Sequence, residues 1–180
     1  MKCHYFINAR IMESKVKNIE DEIEDAIEEG NISLVGELLG ESSCDYNYYM
    51  ALASTHGSLE IVLLMLSKGA NDYYWAMENA SSSGHIDIVK LMLKHEKNLG
   101  ASLMLAASSN HMDIVVLLLE NQAKLSDFGL EYSIMGANLD ITILLLSLVK
   151  TPNYDRLIGM TLDKEVRDFL QTVKEGKIKL

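Results

Sequence analysis

The chain contains little cysteine, a single proline and no long hydrophobic run. Two cysteines are too few for a disulfide framework, so we expect an intracellular, cytoplasmic protein. The lone Pro152 excludes a proline-rich linker. The apolar runs fall short of the roughly 20 residues that a membrane-spanning helix needs, and we expect no membrane partner.

Positive charge is also scarce. Sixteen Lys and Arg residues face 26 Asp and Glu residues, which gives a net charge of −10. Because phosphate binding depends on clustered Lys and Arg, this balance argues against nucleic acid and against an anionic membrane surface. The 180 residues, 48% of them hydrophobic, are enough for a folded domain with a continuous core.

The strongest pattern in the sequence is an internal repeat. Five segments align without gaps, and their first residues lie 27, 27, 26 and 27 positions apart. The segments are GNISLVGELL (30–39), GSLEIVLLML (57–66), GHIDIVKLML (84–93), NHMDIVVLLL (110–119) and ANLDITILLL (137–146). Each opens with a small residue or Asn, and its apolar spacing predicts a short amphipathic helix.

A second apolar segment precedes each of these five. A large apolar residue lies seven places before each opening residue, and a small residue follows it three places later. The large residues are Ile23, Met50, Met77, Leu103 and Leu130, and the small ones are Ala26, Ala53, Ala80, Ala106 and Ser133. This spacing predicts a helix packed closely on its neighbour. The unit is therefore helix, tight turn, helix, and the units must stack to bury their apolar faces.

These segments resemble the ankyrin repeat, whose usual pattern is T-P-L-H-x-A-A-x-x-G-H-x-x-I-V-x-L-L-L-x-x-G-A. The likeness is closest in SSGHIDIVKLML, LAASSNHMDIVVLLLENQA and ASTHGSLEIVLLMLSKGAN, and it covers roughly residues 19–150. His85 and His111 take the position of the family's His, and the resemblance implies local hydrogen bonds at the turn. A leucine-rich repeat also permits a period of 27, but its L-x-x-L-x-L-x-x-N pattern is absent.

The resemblance is incomplete in two respects. The T-P-L-H stretch is missing, and the period is 27 residues where the family has 33. Because the helices are intact, we infer that the β-hairpin fingers are reduced to short loops. The predicted fold is an all-α, ankyrin-like helical repeat solenoid of five helix-turn-helix units with a C-terminal helical cap.

The predicted organisation has three parts. Residues 1–12 form a flexible lead, within which Met12 is an alternative start. Residues 13–150 form the repeats, and residues 151–180 form a degenerate sixth repeat or C-terminal cap. The units are expected at 17–42, 45–70, 73–97, 99–123 and 127–150.

The first unit is strongly acidic, with seven acids and no base between Glu20 and Glu29. One interpretation is a capping helix, since the terminal repeats of a solenoid need a polar outer face. The other is an acidic docking site for a basic partner.

We find no set of residues that indicates catalysis. Phosphate-binding and nucleophile motifs are absent from the sequence, and the cysteines and histidines form no recognisable nucleophile pair. We therefore predict no enzyme activity, no cofactor and no metal site.

The expected binding surface follows from the resemblance. In the ankyrin family, the concave face is built from the first helices, the residues leading into them and the turns that follow. Carried over by position, the lead-in residues include Asn47 and Tyr48, then Tyr74 and Trp75. The turn residues are Thr55 and His56, Ser82 and Ser83, and Ser108 and Ser109.

Aromatic residues crowd the entries of two adjacent units. They are Tyr46, Tyr48, Tyr49, Tyr73, Tyr74 and Trp75. Tyr and Trp are common anchors of interfaces, so the cluster is a candidate centre of a protein-binding patch. The alternative, that the rings fill space left by the shortened fingers, stays open.

The expected function is protein–protein interaction, as a scaffold or adaptor without chemistry of its own. A self-associating structural solenoid and a subunit of an enzyme complex are the alternatives. The amino-acid sequences of the repeats also resemble those of the ankyrin families of large DNA viruses and intracellular microbes, which favours a host-directed role.

Overall fold

A computed structural model describes residues 18–40, 44–125 and 127–180, with only the backbone at 127 and 128. The predicted lead at 1–12 and the alternative start at Met12 lie outside the described residues. So do the two ends of the predicted first unit, at 17 and 41–42.

The described residues form twelve helices and no strand. In chain order they are α1 (Ile19–Glu28), α2 (Ile32–Leu38), α3 (Tyr46–His56), α4 (Leu59–Ser67), α5 (Tyr73–Ser83), α6 (Ile86–Met92), α7 (Gly100–Ser108), α8 (Met112–Glu120), α9 (Asp127–Met135), α10 (Leu139–Leu148), α11 (Tyr154–Met160) and α12 (Lys164–Lys174). They pair in sequence order, so each pair has a first helix with an odd number and a second helix with an even number. The predicted all-helical repeat solenoid is confirmed.

The pairs stack as two layers of helices. Each first helix packs on the first helix of the next pair, from α1 to α11. The second helices α2, α4, α6 and α8 likewise pack in order, and α10 packs on α12. The core lies between the layers, where Met50, Met77 and Leu103 have at most 1% of their surface exposed. The small residues three positions later are buried beside them, which allows the first helices to approach closely.

The tight turn inside each of the first five pairs depends on one left-handed residue. The φ angles are 68° at Gly30, 74° at Gly57, 85° at Gly84, 65° at Asn110 and 56° at Ala137. Glycine adopts this conformation without steric cost and Asn tolerates it, whereas Ala is strained there. The small residue or Asn that opens each repeat segment is thus explained by the backbone.

Short loops connect successive pairs where longer ankyrin units have fingers. The loop from α4 to α5 covers only residues 68–72, and that from α10 to α11 only residues 149–153. No helix in the described part of the chain is long and apolar enough to cross a membrane.

The sixth pair packs on the fifth. Val166 and Leu170 of α12 are buried, whereas Phe169 and Val173 are half-buried. An ion pair joins the two units, since Arg156 Nη2 lies 2.9 Å from Oε1 of the buried Glu131.

Candidate protein-binding surface

Hydrogen bonds between consecutive units hold the turns that follow the first helices, and we call this contact region the seam. His85 Nε2 lies 2.9 Å from the Thr55 carbonyl, and His111 Nε2 lies 3.1 Å from the Ser82 carbonyl. Because a carbonyl oxygen only accepts, each Nε2 is the donor. The expectation of local hydrogen bonds at the turn was wrong, since each His reaches back to the preceding unit. Stacking of the units brings that carbonyl within reach although it lies 29 or 30 residues away in sequence.

The same seam recurs one unit later with different residues. Asn138 takes the position of His85 and His111, and its Nδ2 donates to the Ala107 carbonyl at 2.7 Å. In the histidine seams, the ring lies directly over the left-handed glycine of the preceding unit. A Cβ added at Gly57 would lie 2.5 Å from the His85 ring. These contacts fix the spacing between neighbouring first helices.

Aspartate caps set the entries of the two aromatic helices. The Asp45 side chain accepts hydrogen bonds from the Asn47 and Tyr48 amides at the start of α3. Asp72 accepts from the Trp75 amide at the start of α5. Such caps satisfy amide groups that the helix itself leaves unpaired.

Asn47, one of the predicted binding residues, links two units. Its Oδ1 accepts from the Asn71 amide at 2.7 Å and from the Asp72 amide at 2.9 Å. The side chain holds the loop that leads into α5, so its acceptor is already used within the protein. Sequence spacing did not reveal this contact.

Tyr48 and Trp75 lie side by side on adjacent first helices, as their equivalent repeat positions predicted. Their ring centroids are 6.2 Å apart, and each side chain is 38% exposed. The Tyr48 hydroxyl donates to Glu24 Oε1 at 2.9 Å, which connects the pair to the first unit. Two exposed rings therefore span the second and third units, with a carboxylate at one edge.

The other four aromatic side chains are more enclosed. Tyr49 is only 4% exposed and meets the edge of Tyr48. Tyr46 and Tyr73 are half-buried against the core, and Tyr73 also stacks on His95 at 4.4 Å. Tyr74 is half-buried too. The cluster is thus partly packing and partly surface.

The six predicted turn residues lie along the same side of the array, at the ends of α3, α5 and α7. Thr55 Oγ1 lies 3.1 Å from Asn79 Oδ1 of the next unit, and His56 Nε2 lies 4.0 Å from Glu28 Oε1. Ser82, Ser83, Ser108 and Ser109 are half-buried. We call these six residues, together with Tyr48, Tyr74 and Trp75 near the starts of α3 and α5, the first-helix face.

The phenol groups of Tyr48 and Tyr74 on this face, and of the buried Tyr49 beside it, are held in the neutral form. The hydrogen bond to Glu24 raises the pKa of Tyr48, and a hydrogen bond to Glu78 raises the pKa of Tyr74. Burial raises the pKa of Tyr49 to about 12. The hydroxyls therefore act as donors at neutral pH, and the charge of this surface comes from carboxylates.

Sequence reasoning missed the carboxylates that adjoin the aromatic pair. Glu24 and Glu78 each lie one position after the large apolar residue of their unit, with Ala51 at the same position between them. Glu28 lies at the position that Thr55 has in the next unit. A residue-by-residue alignment of the units would have identified all three carboxylates, because stacking places equivalent positions in rows.

We found no arrangement for metal chemistry in the described residues, which contain no group of three His, Cys, Asp or Glu residues able to hold an ion. A shallow pocket between the fifth and sixth units is lined by Glu131 and Arg156, which already pair with each other. The tyrosines with raised pKa values lie elsewhere, on α3 and α5.

Comparison with known proteins gives a family match over the stacked helix pairs. No curated protein matches the chain. The family model of ankyrin repeats, in three copies, matches residues 49–129, which run from α3 to the start of α9. Ankyrin repeats generally mediate protein–protein interaction and are generally non-catalytic. With the matched repeats, the stacked pairs and the left-handed turns in agreement, residues 49–129 are ankyrin repeats, and the predicted resemblance to that family is confirmed.

Proposed function

We propose that the protein is a non-catalytic scaffold or adaptor that binds a partner protein through its first-helix face. The observation that carries the proposal is the exposed pair of Tyr48 and Trp75 on neighbouring units. Exposed Tyr and Trp side chains are typical anchors of interfaces. Polar turn residues stand at the other ends of the same helices, and we assign them to the rim of the interface.

The proposed contact residues divide into two groups. Tyr48, Tyr74 and Trp75 form the centre, and the turn residues His56, Ser82, Ser83, Ser108 and Ser109 form the rim. Asn47 and Thr55 support the surface through contacts between units. Tyr46 and Tyr73 support it by packing against the core.

A pull-down from cell lysate, read by mass spectrometry, tests the proposal. The bait proteins are the intact chain, the Tyr48→Ala/Tyr74→Ala/Trp75→Ala variant and a control variant, Leu63→Ala/Val116→Ala. The control removes two side chains that are 47% and 38% exposed on the second helices α4 and α8. Circular dichroism first establishes that all three are folded.

The expected result is a protein captured by the intact chain and the control but lost with the aromatic variant. Equal capture by all three baits would move the site away from the aromatic pair. Loss with the control alone would assign the interface to the second helices.

Self-association is the second candidate function, and one observation favours it. Leu162, between α11 and α12, is 96% exposed, and Leu148 at the end of α10 is 53% exposed. Sedimentation of the intact chain and of Leu162→Asp over a range of concentrations tests this candidate. A dimer that dissociates on substitution would support it, and a monomer at all concentrations would exclude it.

The proposal extends to the cellular location and the biological role of the protein. We propose a cytoplasmic, host-directed adaptor, supported by the low cysteine content and the resemblance of the repeats to viral and microbial ankyrin proteins. Identification of the captured protein, with imaging of a tagged chain in cells, tests both points.

A further inference from the structure

We propose that the first-helix face around Tyr48 and Trp75 binds a positively charged, arginine-bearing segment of the partner protein. This inference rests on the proposed function and specifies the chemistry of the partner. Three observations carry it: the geometry of the exposed rings, the carboxylates beside them and the distribution of charge over the array.

The rings offer a surface for a cation. Tyr48 and Trp75 are tilted by 44° with their centroids 6.2 Å apart, and each keeps 38% of its surface exposed. A guanidinium group stacks favourably on the face of Trp or Tyr when it lies within about 6 Å of the ring centroid. Two adjacent rings allow one guanidinium to contact both.

Carboxylates lie next to these rings. Glu24 accepts a hydrogen bond from the Tyr48 hydroxyl, and a carboxylate keeps further lone pairs for another donor. Glu78 follows Trp75 by three positions on α5, so the two side chains lie on one face of that helix. Within the described residues, neither carboxylate forms an ion pair with Lys or Arg.

The first helices of the five units carry no positively charged side chain. The first helices α1, α3, α5, α7 and α9 contain nine acidic residues and no Lys or Arg. Of the six basic residues between 19 and 150, Lys90 lies on the second helix α6, and the others lie in loops, at Lys68, Lys94, Lys97, Lys124 and Lys150. A face with one sign of charge attracts a partner of the opposite sign and repels like charge, so the occupant that fits is cationic.

Trp75 is the only tryptophan in the chain, so its fluorescence reports directly on the proposed site. The probe is a synthetic octapeptide of alternating Arg and Gly, titrated at low and at physiological salt. A peptide of alternating Glu and Gly is the charge control. The expected result is a saturable change in Trp75 emission with the arginine peptide alone, weakening as salt is raised.

Two matched pairs of substitutions test whether binding depends on the carboxylates beside the rings or only on the overall negative charge of the protein. Glu24→Gln/Glu78→Gln removes two charges beside the rings and keeps acceptors for the Tyr48 and Tyr74 hydroxyls. Glu37→Gln/Glu120→Gln removes two exposed charges from the second helices α2 and α8. We expect the first pair to weaken peptide binding about fivefold and the second to leave it unchanged.

Trp75→Ala, followed by anisotropy of a labelled arginine peptide, tests the role of the rings. We expect a further loss of about fivefold, the order of one cation–π contact. Equal losses for the two charge pairs, or unchanged binding by Trp75→Ala, would overturn the inference.

The inference and the proposed function fail in different ways. If a lysate protein depends on the aromatic face but the arginine peptide neither binds nor displaces it, the proposed function stands and the cationic occupant is wrong. If no protein depends on that face, both are wrong. A captured protein that the arginine peptide displaces supports both.

Discussion

The seams between units and the first-helix face follow the 27-residue repeat to different degrees. Each of the first five turns repeats a left-handed residue, and the next position is His85, His111 or Asn138 in the three seams that bond backwards. The face does not repeat, since Tyr48, Trp75 and Ala101 occupy one position in three consecutive units. Packing restricts the seam to residues that fit it, whereas the exposed face is free to vary. The difference favours recognition as the reason for the rings of units two and three.

The largest effect is expected where the aromatic cluster enters the core. Tyr49→Ala should lower the free energy of unfolding by about 3–4 kcal/mol, because it removes a buried ring. Tyr48→Ala should cost about 1–2 kcal/mol, since that ring is 38% exposed. Urea denaturation measures both. Equal losses would contradict the distinction between the buried and the exposed rings of the aromatic cluster.

The second-largest effect on the free energy of unfolding is expected at Gly57, where the His85 ring packs over the turn. Gly57→Ala should cost about 2–3 kcal/mol, from the left-handed backbone and from the contact with the His85 ring. Gly30→Ala is the matched control, because φ is similar and the nearest atom, Ser58 Oγ, lies 3.8 Å away. Its cost should be that of the backbone alone, about 1 kcal/mol. Chemical denaturation of the two variants isolates the contribution of the ring contact.

A third prediction uses pH. The pKa of Tyr49 is raised to about 12 in the folded protein, against about 10 when unfolded. A raised pKa means that the stabilising contribution is present below pH 10 and is lost as the pH rises towards 12. Tyr49→Phe should reduce the fall in stability over this range by about 2 kcal/mol. Denaturation midpoints at pH 9 and pH 11.5 test this, and an unchanged slope would count against it.

The smallest effect is expected at the turn of the fifth unit, where the left-handed residue is alanine. Ala137 has a φ of 56° at the position where the first three units have Gly. Ala137→Gly should raise the free energy of unfolding by about 0.5–1 kcal/mol, because relief of strain exceeds the added entropy of the unfolded chain. Ala70→Gly, at a buried loop position without positive φ, should instead destabilise the protein. Thermal denaturation of the two variants provides the measurement.

Much of the fold could be predicted from the sequence because the repeat is local. The apolar spacing around Met50, Met77 and Leu103 marked the first helices, and the small or Asn residue before each second helix marked the turn. Both signals arise within a single unit. The ten helices of the five units and their stacking follow from them, and the equivalence of Tyr48 and Trp75 follows from the period.

The details of the candidate surface were decided by contacts between units. Tyr48 and Tyr49 are neighbours in sequence, yet one ring faces outward and the other is buried against the core. Asn47 bonds to the loop before α5, and His85 bonds to the turn after α3. None of these partners lies within the same unit, so no pattern inside a unit could identify them.

The sequence by itself determined the period, the helices and the positions that must be small, because apolar spacing and backbone geometry act over a few residues. Only the tertiary structure decided which aromatic rings are exposed and which carboxylates adjoin them. The physical reason is the stacking of helices, which brings residues about 24–30 positions apart into hydrogen-bonding distance. The orientation of each helix about its own axis then determines which of its side chains face outward.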